Sequence, residues 1–323
     1  MKKARRRVRH NQRQQRKRFQ AYDNANSMHI KLKGEFSLFV GGERQKILKI
    51  IEIIKSKEHK RYLIDFSEVA TLNPLTFLYL YHIIDKYGCG QFKTIGPKSL
   101  IPRGVFERFR LTQYFPMPPC PIHIAKLPEI AGWECFDGTT ANFSDAMQAH
   151  IQEMQDRLDK LLFQKLIQGI LGAVENVSHA YPDKPEYCKW FLMTNIDNKS
   201  ISVVVSDLGV SVPYTVQFNT QNHLVDSASI SDSGLIKLAT KTDYSSTQMP
   251  NRGKGFNDIF ELGNAELKDY GIRFISTMIL SRHGSYVVAR DHNKQIEHSL
   301  NGQLEDFPDR IDGTIIAWHI ALI

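Results

Sequence analysis

No stretch of the chain approaches the roughly 20 consecutive apolar residues of a membrane-spanning helix. The longest, around Leu75–Ile84, is interrupted by Thr76, Tyr79, Tyr81 and His82. The four cysteines, Cys89, Cys120, Cys135 and Cys188, form no C-x-x-C pair and have no histidine at zinc-finger spacing. This argues against a disulfide framework or a structural zinc site, and four unpaired thiols suit a reducing, cytoplasmic setting. Acidic residues are missing altogether from residues 1–22, which hold Lys2, Lys3, Arg5, Arg6, Arg7, Arg9, Arg13, Arg16, Lys17 and Arg18. The formal charge of +8 therefore belongs to an arm and not to the body of the protein. A block of like charge without apolar anchors is expected to stay disordered. It begins like the basic region of a signal peptide, but no apolar region follows, so export is not expected.

What is present fits two domains, given 323 residues and a usual size of about 100–200 residues each. Residues 1–27 form the basic arm, residues 28–118 a first αβ unit, and residues 119–323 a second unit. The boundary falls where Pro116, Pro118, Pro119 and Pro121 cluster, since proline disfavours both helix and central strand. In the first unit the pattern predicts strands over His29–Phe39, Tyr62–Phe66 and Phe92–Ile95. Helices are predicted over Arg44–Lys55, where Ile47, Ile50, Ile51 and Ile54 recur at helical spacing, from Pro74 to Tyr87, and over Val105–Arg110. In the second unit Ser144–Leu162 and Phe163–Ala180 read as helices and Trp190–Asn195 and Ile201–Ser206 as strands. Asp207–Asn251 is long, polar and weakly patterned. A helix over Phe256–Leu267 and strands over Phe274–Leu280, Ser285–Asp291 and Thr314–Ala321 follow. Helices segregated from a mixed sheet predict a two-layer α/β sandwich, so the fold class is α/β of the α+β kind.

Three glycine-centred segments stand at the ends of these elements. Asp207-Leu208-Gly209-Val210-Ser211-Val212-Pro213 follows an apolar strand; a carboxylate there can accept a proton from an adenine amino group, and Gly209 lets a purine approach the backbone. Arg252-Gly253-Lys254-Gly255-Phe256 precedes a helix and can offer backbone N–H groups to phosphate. Asp312-Gly313-Thr314 opens the last strand. Each segment alone is a common turn; their order and placement together are not.

That order resembles the GHKL superfamily of ATP-binding domains, which includes histidine kinases, anti-sigma serine kinases, Hsp90, type II topoisomerases and MutL-type proteins. Val174-Glu175-Asn176-Val177-Ser178-His179-Ala180-Tyr181-Pro182 resembles the family's N box, and Asp207–Pro213 its D-x-G-x-G box. Gly253–Phe256 resembles its G-x-G box, and Gly313-Thr314 its final G-T. The resemblance spans roughly residues 140–323 and implies ATP and Mg²⁺ as ligands in a Bergerat-type sandwich. It implies that Asn176 holds the metal, that Asp207 reads adenine, and that Thr314 supports the hydrogen bonds on the adenine side. Gly209, Gly253 and Gly255 would allow close approach, Arg252, Lys254 and His179 would face phosphate, and the stretch between Pro213 and Arg252 would be the lid.

Two departures matter. The family's general-base Glu, four residues before the magnesium Asn, is here Gly172. Glu175 lies about 100° around the helix from Asn176 and is the weak substitute. Aligning His179-Ala180-Tyr181-Pro182 on the family's H-A-Y-P instead puts Glu175 at the Asn position and Leu171 at the base position. Either register lacks the usual base. Ser211 replaces the second glycine of the D-x-G-x-G box.

Residues Tyr62–Val69, then Leu72-Asn73-Pro74-Leu75-Thr76-Phe77, together with Ile95-Gly96-Pro97 and Phe106–Pro116, are similar to a STAS domain, the fold of anti-sigma-factor antagonists. The usual phosphoacceptor serine is absent, and Thr76 is the nearest hydroxyl. A STAS-like unit fused to a GHKL-like unit implies partner-switching signalling: a nucleotide-dependent lid that controls a regulatory protein partner, with weak or partner-dependent turnover. The alternatives are an active ATPase or serine/threonine kinase of the anti-sigma type, and a nucleic-acid-associated scaffold acting through residues 2–18. The arm lacks the apolar face that membrane binding requires. Relatives of this kind often dimerise, so a homodimer is among the expectations.

Overall fold

In the computed structural model of the chain, the described residues are 27–140, 142–177, 180, 188–220, 230–240, 255–265, 267, 271–292 and 303–323. The chain divides into two compact units: the residues up to Leu72 with Tyr87–Ile124, and Asn73–Lys86 with Ala125–Ile323. The basic arm, residues 1–26, lies outside the described residues.

The first unit carries strands β1 (Met28–Phe36), β2 (Tyr62–Leu72) and β3 (Lys93–Ile95) in a parallel sheet of that order, with helices α1 (Gly41–Ser56) and α3 (Leu100–Arg108). Ile47, Ile50, Ile51 and Ile54 of α1 are buried, as their spacing predicts. Phe66 meets Phe106 and Phe115 edge-on at 5.3 and 5.6 Å, and Phe92 stacks on Phe115 at 5.1 Å. Aromatic clusters of this kind supply large apolar area together with specific geometry.

The second unit is a seven-stranded antiparallel sheet in the order β4-β5-β6-β10-β7-β8-β9. Its strands are β4 (Trp133–Gly138), β5 (Trp190–Ile196), β6 (Ser200–Asp207), β7 (Ile272–Ser281), β8 (Gly284–Asp291), β9 (Gln303–Asp306) and β10 (Thr314–Leu322). One face carries helices α4 (Asp145–Gln155), α5 (Lys160–Val177), α6 (Val212–Thr220), α7 (Asp232–Ala239) and α8 (Gly255–Glu261). The core between these layers includes Leu162, Leu166 and Ile170 from α5, Val203 and Val205 from β6, and Trp318 from β10. The fold is thus mixed α and β, with the helices of this face segregated from the sheet as expected.

Helix α2 (Pro74–Tyr87) packs on the opposite face of this sheet. Phe77 meets Trp133 edge-on at 5.4 Å, Tyr81 meets Phe191 at 5.7 Å, and Lys189 bridges Asp85 of α2 and Asp137 of β4. Burial on both sides explains why β5 and β6 read as nearly continuous apolar runs and not as alternating ones. Asn73 caps α2, its Oδ1 accepting from the backbone N–H groups of Leu75 and Thr76 at 3.1 and 3.3 Å. Thr76 itself is fully buried, so its hydroxyl is closed to a kinase.

The chain breaks between α4 and α5 at residues 156–159, not at Leu162 as apolar spacing predicts. Ser144 Oγ caps α4 by accepting from Met147 N–H at 3.3 Å, and Asp159 Oδ1 accepts from Leu161 N–H at 2.8 Å at the start of α5. Aspartate competes with the helix for backbone N–H groups, and here that outweighs the apolar stripe. Strands β4 and β9 were not expected. The stretch after Asp207, read as weakly patterned, contains two helices.

Candidate functional site

Strand ends create the site. Register pairs Thr314 with Asp207 of β6 on one side and with Ser281 of β7 on the other, so three polar side chains lie in one row across the sheet. Asp207 accepts from Gly209 N–H at 2.8 Å and from the backbone N–H of Thr314. Ser281 Oγ donates to Gly313 C=O at 2.9 Å, accepts from Val212 N–H at 3.1 Å and lies 3.0 Å from Thr314 Oγ1. Ser281 thus ties the D-x-G segment to the G-T turn. A lone serine at a strand end gave no signal in the sequence, because its partners come from two distant segments. Gly313 has φ +68, and a Cβ there would stand 2.1 Å from Asp207 C=O, so only glycine fits the turn.

The Asp207 carboxyl is buried. Desolvation pushes it up from its ordinary 3.8 to about 7, against the opposing pull of the Gly209 N–H, Lys86 and the Thr314 N–H. A folded-state carboxyl that holds its proton more tightly than in the unfolded chain stabilises the fold fully below about pH 4, and that stabilisation is lost as pH rises through about 7. Asp207→Asn keeps the shape without titrating. Its stability relative to wild type should therefore rise across that window and level off above it. Urea unfolding of both proteins across the window checks this, and a difference that is independent of pH would refute it.

Helix α5 carries Val174–Val177, the first part of the segment that resembles an N box. Asn176 is half-buried, and its Nδ2 is buried with no hydrogen-bond partner among the described residues. Such a group carries a desolvation cost until something pairs with it. Glu175 next to it is exposed, and Gly172, where a general base is expected, is buried. Just beyond α5, Ala180 C=O accepts from Val210 N–H at 2.6 Å. A Cβ on Gly209 would stand 2.2 Å from that same carbonyl oxygen. The segment just beyond α5 and the Asp207-Leu208-Gly209 turn are therefore in contact, and Gly209 is required by this packing. The expected reason, access for a purine, is not needed to explain the glycine.

Helix α8 runs antiparallel to α5. Lys165 pairs with Glu261 at 2.6 Å, and further along the Trp318 indole, lying against Gly169, donates to Ile259 C=O at 2.9 Å. This places Gly255, the first residue of α8, toward the Asn176 end of α5. His179, Arg252, Gly253 and Lys254 lie outside the described residues.

Within the stretch that the resemblance implies as a lid, residues 230–240 are described. Helix α7 is docked, with Leu235, Ile236 and Ala239 buried. Ser233 N–H and Oγ donate to Asp306 of β9 at 2.9 and 2.6 Å, and Asp232 accepts from His283 N–H at 3.0 Å. This part of the stretch is a capped, packed helix. Residues 221–229 and 241–254 of that stretch lie outside the described residues.

Among the described residues no three His, Cys, Asp or Glu side chains gather in a way that could hold a metal ion, and no helix is long and apolar enough to cross a membrane. Comparison with protein-family models, curated proteins and solved structures yields no match to this chain.

Proposed function

We propose that this chain is a cytoplasmic ATP- and Mg²⁺-binding regulatory protein of GHKL type, whose nucleotide state controls a protein partner and whose turnover is weak or partner-dependent. The observation that carries the reading is the Asp207 carboxyl, buried at a strand end and held by the Gly209 and Thr314 N–H groups. It is joined through Ala180 to a helix end where the Asn176 amide has a buried atom with no partner among the described residues.

These residues fit the ligand's chemistry. Asp207 would accept from the adenine amino group, and its carboxylate form does so best, so affinity should strengthen as pH rises through about 7. Asn176 would take the metal through its side-chain oxygen, the amide orientation being free to reverse. Bound Mg-ATP supplies a phosphoryl group whose charge the metal offsets. What the chain withholds is a base. Gly172 is buried where the Glu would stand and Glu175 is exposed, and loss of a positioned base costs on the order of 10²–10⁴ in rate.

Calorimetric titration of Mg-ATP and Mg-ADP into the full chain tests the reading. Wild type should bind both, and Asp207→Asn should bind roughly tenfold or more weakly, the worth of a charge-assisted hydrogen bond. Folded wild type that shows no binding at about 1 mM nucleotide, a free energy of only about −4 kcal/mol, would sink it.

A further inference from the structure

Beside its Asp85–Lys189 ion pair, helix α2 makes three polar contacts that lie next to the Asp207 row. Tyr79 Oη accepts from Asp312 N–H at 2.8 Å, beside the Gly313-Thr314 turn. His82 Nδ1 lies 3.2 Å from Ser206 Oγ, one residue before Asp207. Lys86 Nζ donates to Leu208 C=O at 3.1 Å, one residue after it. Tyr79, His82 and Lys86 are spaced i, i+3 and i+7, one face of a helix. Tyr79 and His82 are buried, and His82 stays neutral because burial, Lys86 and Lys189 push it down to about 3. In the chain, the other compact unit ends at Leu72, just before Asn73 and α2, and resumes at Tyr87, the last residue of α2.

We propose that α2 is the positioning element of the Asp207 site. It holds both backbone segments that frame the carboxylate, so that displacing this helix changes the site's shape and charge. The inference deepens the nucleotide reading, on which its regulatory meaning rests, by naming the structural element through which that site is tuned. Three side chains on one face converge on residues 206, 208 and 312. None of them is needed to close the sheet, whose strands already pair there through their own backbone.

The groups facing Asp207 are Lys86 from α2 and the Cys188 thiol from the segment before β5. Lys86 is the charged one, and because it is exposed its replacement leaves the core intact.

The test follows the Asp207 carboxyl by ¹³C NMR in the full chain labelled at aspartate Cγ, with Asp207→Asn assigning the resonance. Lys86→Met should raise the titration midpoint by about half a pH unit through the lost favourable charge, and Lys86→Arg should restore it. Tyr79→Phe, which changes no charge, should move the amide resonances of Gly209 and Thr314. A midpoint unmoved in Lys86→Met, or amide changes in Tyr79→Phe confined to Asp312, would overturn the proposal. Calorimetry with Mg-ADP separates the two readings. If folded wild type binds nothing, the nucleotide reading falls while the titration still decides the role of α2. If wild type binds, Lys86→Met should bind about threefold more weakly near neutral pH, and equal affinity would count against the coupling.

Discussion

Gly209→Ala should unfold at a midpoint roughly 5–10 °C below wild type with no nucleotide present, the shift expected for about 2–3 kcal/mol in a unit of this size. The added methyl would stand 2.2 Å from the Ala180 carbonyl oxygen and 2.7 Å from its carbonyl carbon. Both are backbone atoms, tied down by the Val210 N–H bond to the same oxygen at 2.6 Å. Neither side can yield by rotating a side chain, so the D-x-G turn or the end of the N-box helix must move. Thermal unfolding of the two proteins measures this. A glycine kept only to admit a purine would give the opposite pattern, normal stability with weakened nucleotide binding. That outcome would show the contact with Ala180 to be dispensable.

Trp318→Ala should cost about 3–5 kcal/mol in urea unfolding, the range for removing a large buried aromatic side chain. The indole is 1% exposed. It lies between α5, at Gly169, and α8, whose Ile259 carbonyl it binds. Trp318→Phe separates the two contributions: it keeps most of the volume but leaves Ile259 C=O without its donor, for a loss of roughly 1–2 kcal/mol. Because α8 begins at Gly255, both variants should also loosen the segment read as the G-x-G box, and Mg-ATP affinity should fall in the same order as stability. A Trp318→Ala protein as stable as wild type would mean that the helix layer is not held through this residue.

Much of the second unit could be read locally. Trp190–Asn195 and Ile201–Ser206 lie within β5 and β6, and the last strand begins at Thr314 as its glycine-led start predicts. Asp207 and Gly209 were singled out at a strand end and Gly313-Thr314 at a strand start, and the sheet register sets them side by side. Aspartate or glycine at a strand end is a local signal, carried by residues adjacent in the chain. The helix break at residues 156–159 was also present in the sequence, in Asp156 and Asp159, but the apolar stripe running through both helices masked it. The unbroken run Trp190-Phe191-Leu192-Met193 was legible as a strand, and its continuous apolar character fits the cover that the structure places on both faces. It did not say what covers the second face.

Register, coverage and close approach were decided by packing. Ser281 joins the site only because β10 lies between β6 and β7, pairing Thr314 with residues far away on both sides. Helix α2 reads from its sequence as part of the first unit, since it follows β2 directly, yet its aromatic and polar face closes the far side of the second unit's sheet. Gly209 looks like a ligand-facing glycine until Ala180 is seen against it. Periodicity and end residues report which elements form and where they stop. Which surfaces meet depends on the summed burial of many side chains from distant segments, and no local pattern encodes that sum.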